Sequence, residues 1–270
     1  MNKRASYSKY DNKKSFVHEK LELLYLDQWI AVIYKPTGLL SVPYPGSKAR
    51  TAQSVLEELL RKQGIVNSKH KPFPVHRLDR DTSGVMMFAL SEQAQKKIMN
   101  SWHKMVTERL YHALAEISPL AKKNPLMAEG LIDDPISLNA YNIGYVKKNR
   151  KKTISDSAAL SDKKNNNHEM PARTHYKKLM EGSNYALFEM SLDTGKKNQI
   201  RAHLSAHGYP IAGDKEHRSY TNPFNRLCLH ARTLEFIHPF TGEKMRFEVP
   251  EPEQWSEFVK KGMIKTKSKV

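Results

Sequence analysis

Residues 76–84, His-Arg-Leu-Asp-Arg-Asp-Thr-Ser-Gly, place two carboxylates among two arginines and a histidine, just before the apolar run of residues 85–90. A carboxylate that attacks a substrate must be ionised. Flanking arginines favour the ionised form by charge pairing, and the N–H groups of a turn add to that effect. Asp79 and Asp81 both qualify. They are two apart, so extended backbone would aim them the same way and a turn need not. The same residues would also suit a surface ion-pair turn ahead of a strand.

Two further stretches are dense in chemistry. Glu-Arg-Leu-Tyr-His-Ala-Leu-Ala-Glu, residues 108–116, carries Tyr111 in an alternating pattern, where a tyrosine is commonly a core residue with a wet hydroxyl. Residues 193–214, DTGKKNQIRAHLSAHGYPIAGD, bring Lys196, Lys197, Asn198 and Gln199 to the start of a helix. Such a start can hold a phosphate or a base edge. Arg201, about one turn in, can reach a carboxylate. His203 and His207 stand four apart, a spacing that suits a metal. Between them, however, lies no glutamate of the zinc-peptidase kind, so packing or RNA contact is favoured over metal. The chain has no phosphate loop, dinucleotide fingerprint or nucleophile elbow. A cofactor-free reaction on a polyanion is the reading these residues support.

The elements that carry these residues follow from periodicity and turn chemistry. Residues 21–35 predict two short strands around Asp27-Gln28. Residues 35–47, KPTGLLSVPYPGS, predict a loop with fixed turns. A helix follows, capped by Thr51, with Val55, Leu56, Leu59 and Leu60 on its apolar face and Gly64 as its stop. After Gly84 come an apolar strand, then a helix capped by Ser91 and running to residue 108, then a half-buried strand holding Tyr111. Residues 129–136 predict a strand and turn. Hairpins are predicted over residues 172–195 and around Phe240-Thr241-Gly242, with a short helix ended by Gly208 between them. Short strands joined mostly by hairpins, with a few helices, predict an α+β fold with a mixed, largely antiparallel β-sheet.

The chain has 270 residues, of which 39% are hydrophobic, and can bury a proper core. Its formal charge is +17, from 45 Lys+Arg against 28 Asp+Glu, which points to a polyanionic partner and favours nucleic acid. No apolar run is long enough to span a membrane, and no membrane partner is expected. The single cysteine, Cys228, excludes an internal disulfide and a cysteine zinc site, fits a reducing cytoplasm, and reads as a packing residue. Residues 147–170 hold seven Lys/Arg and three Asp/Glu and predict a mobile basic loop. Residues 1–20 predict a disordered basic arm, and residues 259–270 a basic tail.

Taken in order, the stretches resemble one family, the RluA-type pseudouridine synthases of the RluA/RsuA superfamily. His76 to Gly84 is similar to its His-Arg-Leu-Asp-x-x-Thr-Ser-Gly signature, and KPTGLLSVP to its Lys-Pro-x-Gly loop. ERLYHALAE is similar to its tyrosine strand, TGKKNQIRAHLSAHGYPIAGD to its third motif, and LCLHARTLEFIHPFTGE to its closing hairpin. The resemblance runs from about residue 21 to about residue 250. It implies a single catalytic domain over residues 21–258 that isomerises specific uridines in ribosomal or transfer RNA by base flipping, without metal or cofactor. Asp79 would be the catalytic aspartate, and Asp81 falls on a variable family position. Tyr111 would contact the uracil and take part in proton transfer. Arg201 would pair with Asp79 and hold it ionised. Arg77 would take the place of the displaced base, and Lys197 and Asn198 would contact RNA.

The chain departs from the family pattern at Lys196-Lys197-Asn198, where many relatives have Arg-Thr-His, and again after Gly213-Asp214. The small N-terminal RNA-binding domain of many relatives is expected to be absent, so target choice would fall to the core, the arm and the 147–170 loop. A monomer with no obligate protein partner is the expected state. Two other readings remain: a non-catalytic RNA-binding or chaperone protein on the same fold, and a hydrolase using two carboxylates, for which Asp81 and Asp214 are the candidate second acids.

Overall fold

The structure, a computed structural model, describes residues 20–68, 70–147 and 169–261. The expected N-terminal arm, nearly all of the 147–170 loop and the tail beyond Lys261 lie outside the described residues. In chain order the elements are β1 (Glu22–Leu26), β2 (Ile30–Lys35), α1 (Ala52–Lys62), β3 (Phe73–Pro74), β4 (Ser83–Ala89), α2 (Glu92–Met105), β5 (Val106–Glu116), α3 (Pro119–Lys123), β6 (Glu129–Ile132), β7 (Ile136–Leu138), β8 (Gly144–Val146), β9 (Thr174–Glu181), β10 (Tyr185–Leu192), α4 (Gln199–Ala206), β11 (Leu229–Ile237), β12 (Lys244–Glu248) and α5 (Gln254–Lys261). They fall into two compact units. The first holds the chain up to Arg109 together with His230–Glu251; the second holds Leu110–Leu229 and the chain from Pro252 onward.

In the first unit the strands pair in the order β1-β2-β4-β11, with β3 on β4 and β12 on β11. All these pairings are antiparallel except β4 with β11. Asp27 makes the β1–β2 turn: its Oδ1 accepts the N–H groups of Trp29 at 2.7 Å and Ile30 at 2.8 Å. β2 and β4 are buried along their whole length. That explains why both read as continuous apolar runs rather than alternating ones. The two helices start where their caps predict. Thr51 and Ser54 form a reciprocal capping box on α1, and Ser91 accepts the Ala94 N–H at 3.1 Å on α2. α2 ends at Met105, earlier than its sequence pattern suggests, because Val106-Thr107 already belongs to β5.

In the second unit the order is β5-β10-β9-β6, all antiparallel, and β7 and β8 form a separate hairpin. The end of β5 is buried without alternation, from His112 to Glu116, so the half-buried expectation holds only for its first part. Phe188, Tyr209, Ile200, Leu204 and Trp255 belong to the core of this unit. α4 is buried at six consecutive positions, Gln199 to Leu204, three of them polar. Buried polar groups without partners would cost free energy, so the surroundings of Gln199, Arg201 and His203 must supply bonds. α5 continues to Lys261, through residues the sequence had assigned to the tail. Among the described residues no helix is long and apolar enough to cross a membrane.

Candidate functional site

In the first unit, the turn bearing Arg77, Asp79 and Asp81 lies between β3 and β4. The Lys-Pro-Thr-Gly loop after β2 grips it from side chain to backbone. Lys35 is fully buried and its ammonium donates to the carbonyls of Pro36 at 2.9 Å, Leu39 at 2.7 Å and Arg80 at 2.9 Å. Thr37 Oγ1 donates to the Asp81 carbonyl at 2.8 Å. Ser41 Oγ donates to the Leu78 carbonyl at 2.6 Å and accepts the Leu78 N–H at 3.1 Å. The backbone is thus held just before and just after Asp79, and Thr82 N–H closes the turn onto the Asp79 carbonyl at 3.2 Å.

The floor of the turn is equally tied. His76 Nε2 accepts the Met87 N–H at 2.9 Å, and its ring lies 4.9 Å from that of Trp102. Burial, and then the positive charge of Arg109, hold the His76 pKa down at about 3. This histidine is therefore a neutral acceptor near pH 7, a positioning group rather than an acid or base. Ser83 Oγ meets His230 Nδ1 at 2.8 Å, and His230 Nε2 meets the Val249 carbonyl at 2.8 Å. A carbonyl can only accept, so Nε2 carries the proton and Nδ1 accepts from the serine. Gly84 sits at φ +126°, and a Cβ there would come 2.1 Å from the Ala231 carbonyl oxygen. The close β4–β11 contact requires glycine. Of the two candidate acids, Asp81 turns outward to Arg80 at 2.9 Å, with both side chains well exposed. Asp79 is half-buried and Arg77 exposed.

In the second unit, Tyr111 stands on β5 opposite Met190 of β10, half-buried against the core. Asn198 opens α4 in the left-handed conformation, φ 56°, and its Oδ1 accepts the Gly144 N–H at 3.2 Å. Asn198 is buried and Lys197 exposed. Gln199 spends its whole amide on shaping the loop. Its Oε1 accepts from Thr194 Oγ1 and from the Lys196 N–H, and its Nε2 donates to the Arg173 carbonyl and Thr174 Oγ1. His203 lies between Thr174 Oγ1 at 2.9 Å and the Asp134 carbonyl at 2.8 Å, and His207 meets Asp134 Oδ2 at 2.7 Å. The four-residue histidine spacing therefore serves packing and the anchoring of residue 134.

Arg201 is only 8% exposed. Its Nε and Nη2 donate to the two oxygens of Asp214 at 2.6 and 2.7 Å, and Nη2 also reaches Glu216 at 2.6 Å. Burial alone would raise the Asp214 carboxyl, but the bonds from Arg201 and His217 override it and hold its pKa at about 2. Asp214 is therefore an ionised positioning group for Arg201, which removes it as the proton donor of a two-carboxylate hydrolase. Asp214, Glu216 and His217 bring their ligand atoms within 4.8 Å of one another, and the guanidinium already supplies the cation they face. Cys228 is fully buried and burial pushes its thiol up to about 12, so it is no nucleophile.

Sequence reasoning missed Lys35, Thr37 and Ser41 as the grip on the acidic turn, and Asp214 as the holder of Arg201. The polar residues of the Lys-Pro-Thr-Gly loop were the available signal for the first group.

The sequence and the fold both resemble those of known proteins. The RNA pseudouridylate synthase family matches residues 29–206 of the chain. An uncharacterized RNA pseudouridine synthase of Bacillus subtilis (strain 168), YlyB, is 33% identical over 240 residues, covering 88% of this chain and 72% of its own. The tRNA pseudouridine synthase C of Vibrio parahaemolyticus is 30% identical over 257 residues, covering 88% of this chain and 93% of its own. The ribosomal large subunit pseudouridine synthase D of Zymomonas mobilis is 28% identical and covers 92% of this chain and 74% of its own. Among solved structures, human RNA pseudouridylate synthase domain containing 4 shares the fold with a TM-score of 0.64 at 23% identity, over 87% of this chain and 90% of that one. Fold and matches together define an isomerase that modifies RNA. The chain belongs to the RNA pseudouridylate synthase family.

Proposed function

We propose that the chain isomerises particular uridines to pseudouridine in transfer or ribosomal RNA, with Asp79 as the attacking carboxylate. The observation that carries this reading is the grip on the turn. Four side-chain-to-backbone bonds, from Lys35, Thr37 and Ser41, fix Leu78, Arg80 and Asp81 around Asp79. Such preorganisation places a reacting group without reorganisation at the moment of reaction. The relatives above supply the two candidate RNA classes by their names, one a tRNA enzyme and one a ribosomal large subunit enzyme.

In this reading the target nucleotide is turned out of its stack, at a cost of a few kcal/mol supplied by binding, and Arg77 fills the vacated place. The Asp79 carboxylate attacks carbon 1′ of the ribose or carbon 6 of the ring. The bond from N1 to carbon 1′ breaks, the uracil turns, and carbon 5 bonds to carbon 1′ as the aspartate leaves. Carbon 5 then loses its proton, with Tyr111 as relay, and N1 gains one, so product and substrate have the same atoms. Arg201, its head fixed by Asp214, favours the ionised Asp79. Lys197 contacts RNA phosphate, and Asn198 shapes the turn from which Lys197 projects. The chain acts as a cytoplasmic monomer, and the net charge of +17 gives salt-dependent affinity for RNA.

The test is to map pseudouridine in transfer and ribosomal RNA from cells lacking the protein and from the same cells supplied with wild type or Asp79→Asn. One or a few positions should regain pseudouridine with wild type only. If no position differs between cells with and without the wild-type protein, the non-catalytic RNA-binding reading takes its place.

A further inference from the structure

The segment after Gly213-Asp214, where the chain departs from the family pattern, is built with unusual care. It starts with a 3-10 turn, Lys215–His217, capped by Asp214, and Arg218 follows in the left-handed region at φ 68°. That conformation is uncommon for a residue with a side chain and is held only when the surroundings determine it. The residues just after it are held by Glu116, itself buried at the end of β5. Its Oε1 accepts from Ser219 Oγ at 2.6 Å, from the Thr221 N–H at 2.7 Å and from Thr221 Oγ1 at 2.6 Å, and its Oε2 accepts the Tyr220 N–H at 3.1 Å. On the other side, His217 Nε2 meets the Gly144 carbonyl at 2.8 Å. A Cβ on Gly144 would lie 2.1 Å from the Lys197 carbonyl oxygen, so this loop, the β7–β8 hairpin and the start of α4 meet at a backbone contact only glycine permits.

The backbone is clamped, yet the side chains it presents are bare. Tyr220 is 87% exposed, and Lys215 and Arg218 of the same loop are exposed too. Neither cation forms an ion pair among the described residues. A lone surface tyrosine needs no explanation. A tyrosine on a loop fixed by a buried carboxylate, with two exposed cations on the same loop, on an enzyme that acts on RNA, is a different case. An exposed aromatic ring on a fixed backbone that also carries positive charges is the chemistry that receives an unpaired base and its phosphates.

We propose that Tyr220 stacks on an unpaired base of the substrate RNA outside the reacting uridine, with Lys215 and Arg218 against the neighbouring phosphates. This assigns the loop a role in RNA selection, and it rests on the RNA-modifying reading given above. Because the contact is present equally in ground and transition states, its loss should raise KM and spare kcat.

The experiment compares wild type, Tyr220→Ala and Tyr220→Trp in the full chain. One arm measures tritium release from transfer and ribosomal RNA labelled at uracil carbon 5. The other follows tryptophan emission on titration with a single-stranded oligouridylate 12-mer. Tyr220→Ala should raise KM about tenfold, with kcat within about twofold and an unchanged melting temperature, and Tyr220→Trp should keep the wild-type KM. The added tryptophan should be quenched saturably by the oligomer, beyond any change in wild type. A wild-type KM for Tyr220→Ala, or an added tryptophan indifferent to saturating RNA, would overturn the proposal. If wild type releases no tritium, the synthase reading fails, and the quenching arm alone decides the stacking.

Discussion

The turn around Asp79 and the start of α4 are both held rigid, but by different forces. At the turn, one buried ammonium and two hydroxyls bond to backbone groups. At α4, a buried guanidinium is held directly by two carboxylates, and charge carries the structure. The first arrangement is held by bonds to main-chain groups of Leu78, Arg80 and Asp81. The second cannot lose a charge without leaving its partner uncompensated in the interior. The turn is therefore held through main-chain atoms, and the start of α4 through side-chain charge.

The largest stability effect should come from Asp214→Ala. Removing one partner of a buried ion pair costs about 3–5 kcal/mol, read as a shift in the denaturant midpoint. A loss under about 1 kcal/mol would mean that Glu216 suffices to hold Arg201, and the contrast between the regions would weaken. Lys35→Met should cost less, about 2–3 kcal/mol for the carbonyls left unpaired, yet lower kcat about a hundredfold by loosening the turn. Equal losses of stability and activity would show that the grip is merely structural.

Acidification should separate the two regions further. His76 has a folded pKa of about 3 against 6.5 in the unfolded chain, so the unfolded state binds the extra proton between those values. Its contribution, on the order of a few kcal/mol, is complete above about pH 6.5 and lost progressively as the pH falls toward 3. Asp214 contributes stability above its unfolded value of 3.8 that is lost only as the pH falls toward 2. His203 is pulled down by burial too, but Asp134 and Asp133 oppose the shift, whereas Arg109 deepens that of His76. The emission of Trp102, beside His76, should therefore change at a higher pH than that of Trp255, with single Trp→Phe variants assigning the signals. The smallest effects belong to Ser41→Ala, about 1–2 kcal/mol by unfolding, and Arg80→Ala, within about 0.5 kcal/mol because its pair is exposed.

The local signals in the sequence were legible, and the long-range ones were not. Thr51 and Ser91 cap their helices as their types predict, and the hairpin at Phe240-Thr241-Gly242 forms in place. The end of α2 was misplaced because pairing captures Val106-Thr107 for a strand, and sequence pattern does not see pairing partners. The acidic turn was visible as a site, but what grips it was not, since Lys35 reaches the Arg80 carbonyl across 45 residues. Arg201 was visible as a carboxylate partner. Asp214 and Glu216 were hidden because a helix and a 3-10 turn must fold together before they meet it.

The most direct test of the account is the rate of tritium release from RNA labelled at uracil carbon 5, measured for purified Asp79→Asn and Asp81→Asn beside wild type. The account predicts a loss of at least about a thousandfold for Asp79→Asn in a protein that still unfolds cooperatively, and a rate within about threefold of wild type for Asp81→Asn. Release by Asp79→Asn at the wild-type rate, or silence of Asp81→Asn instead, would contradict it.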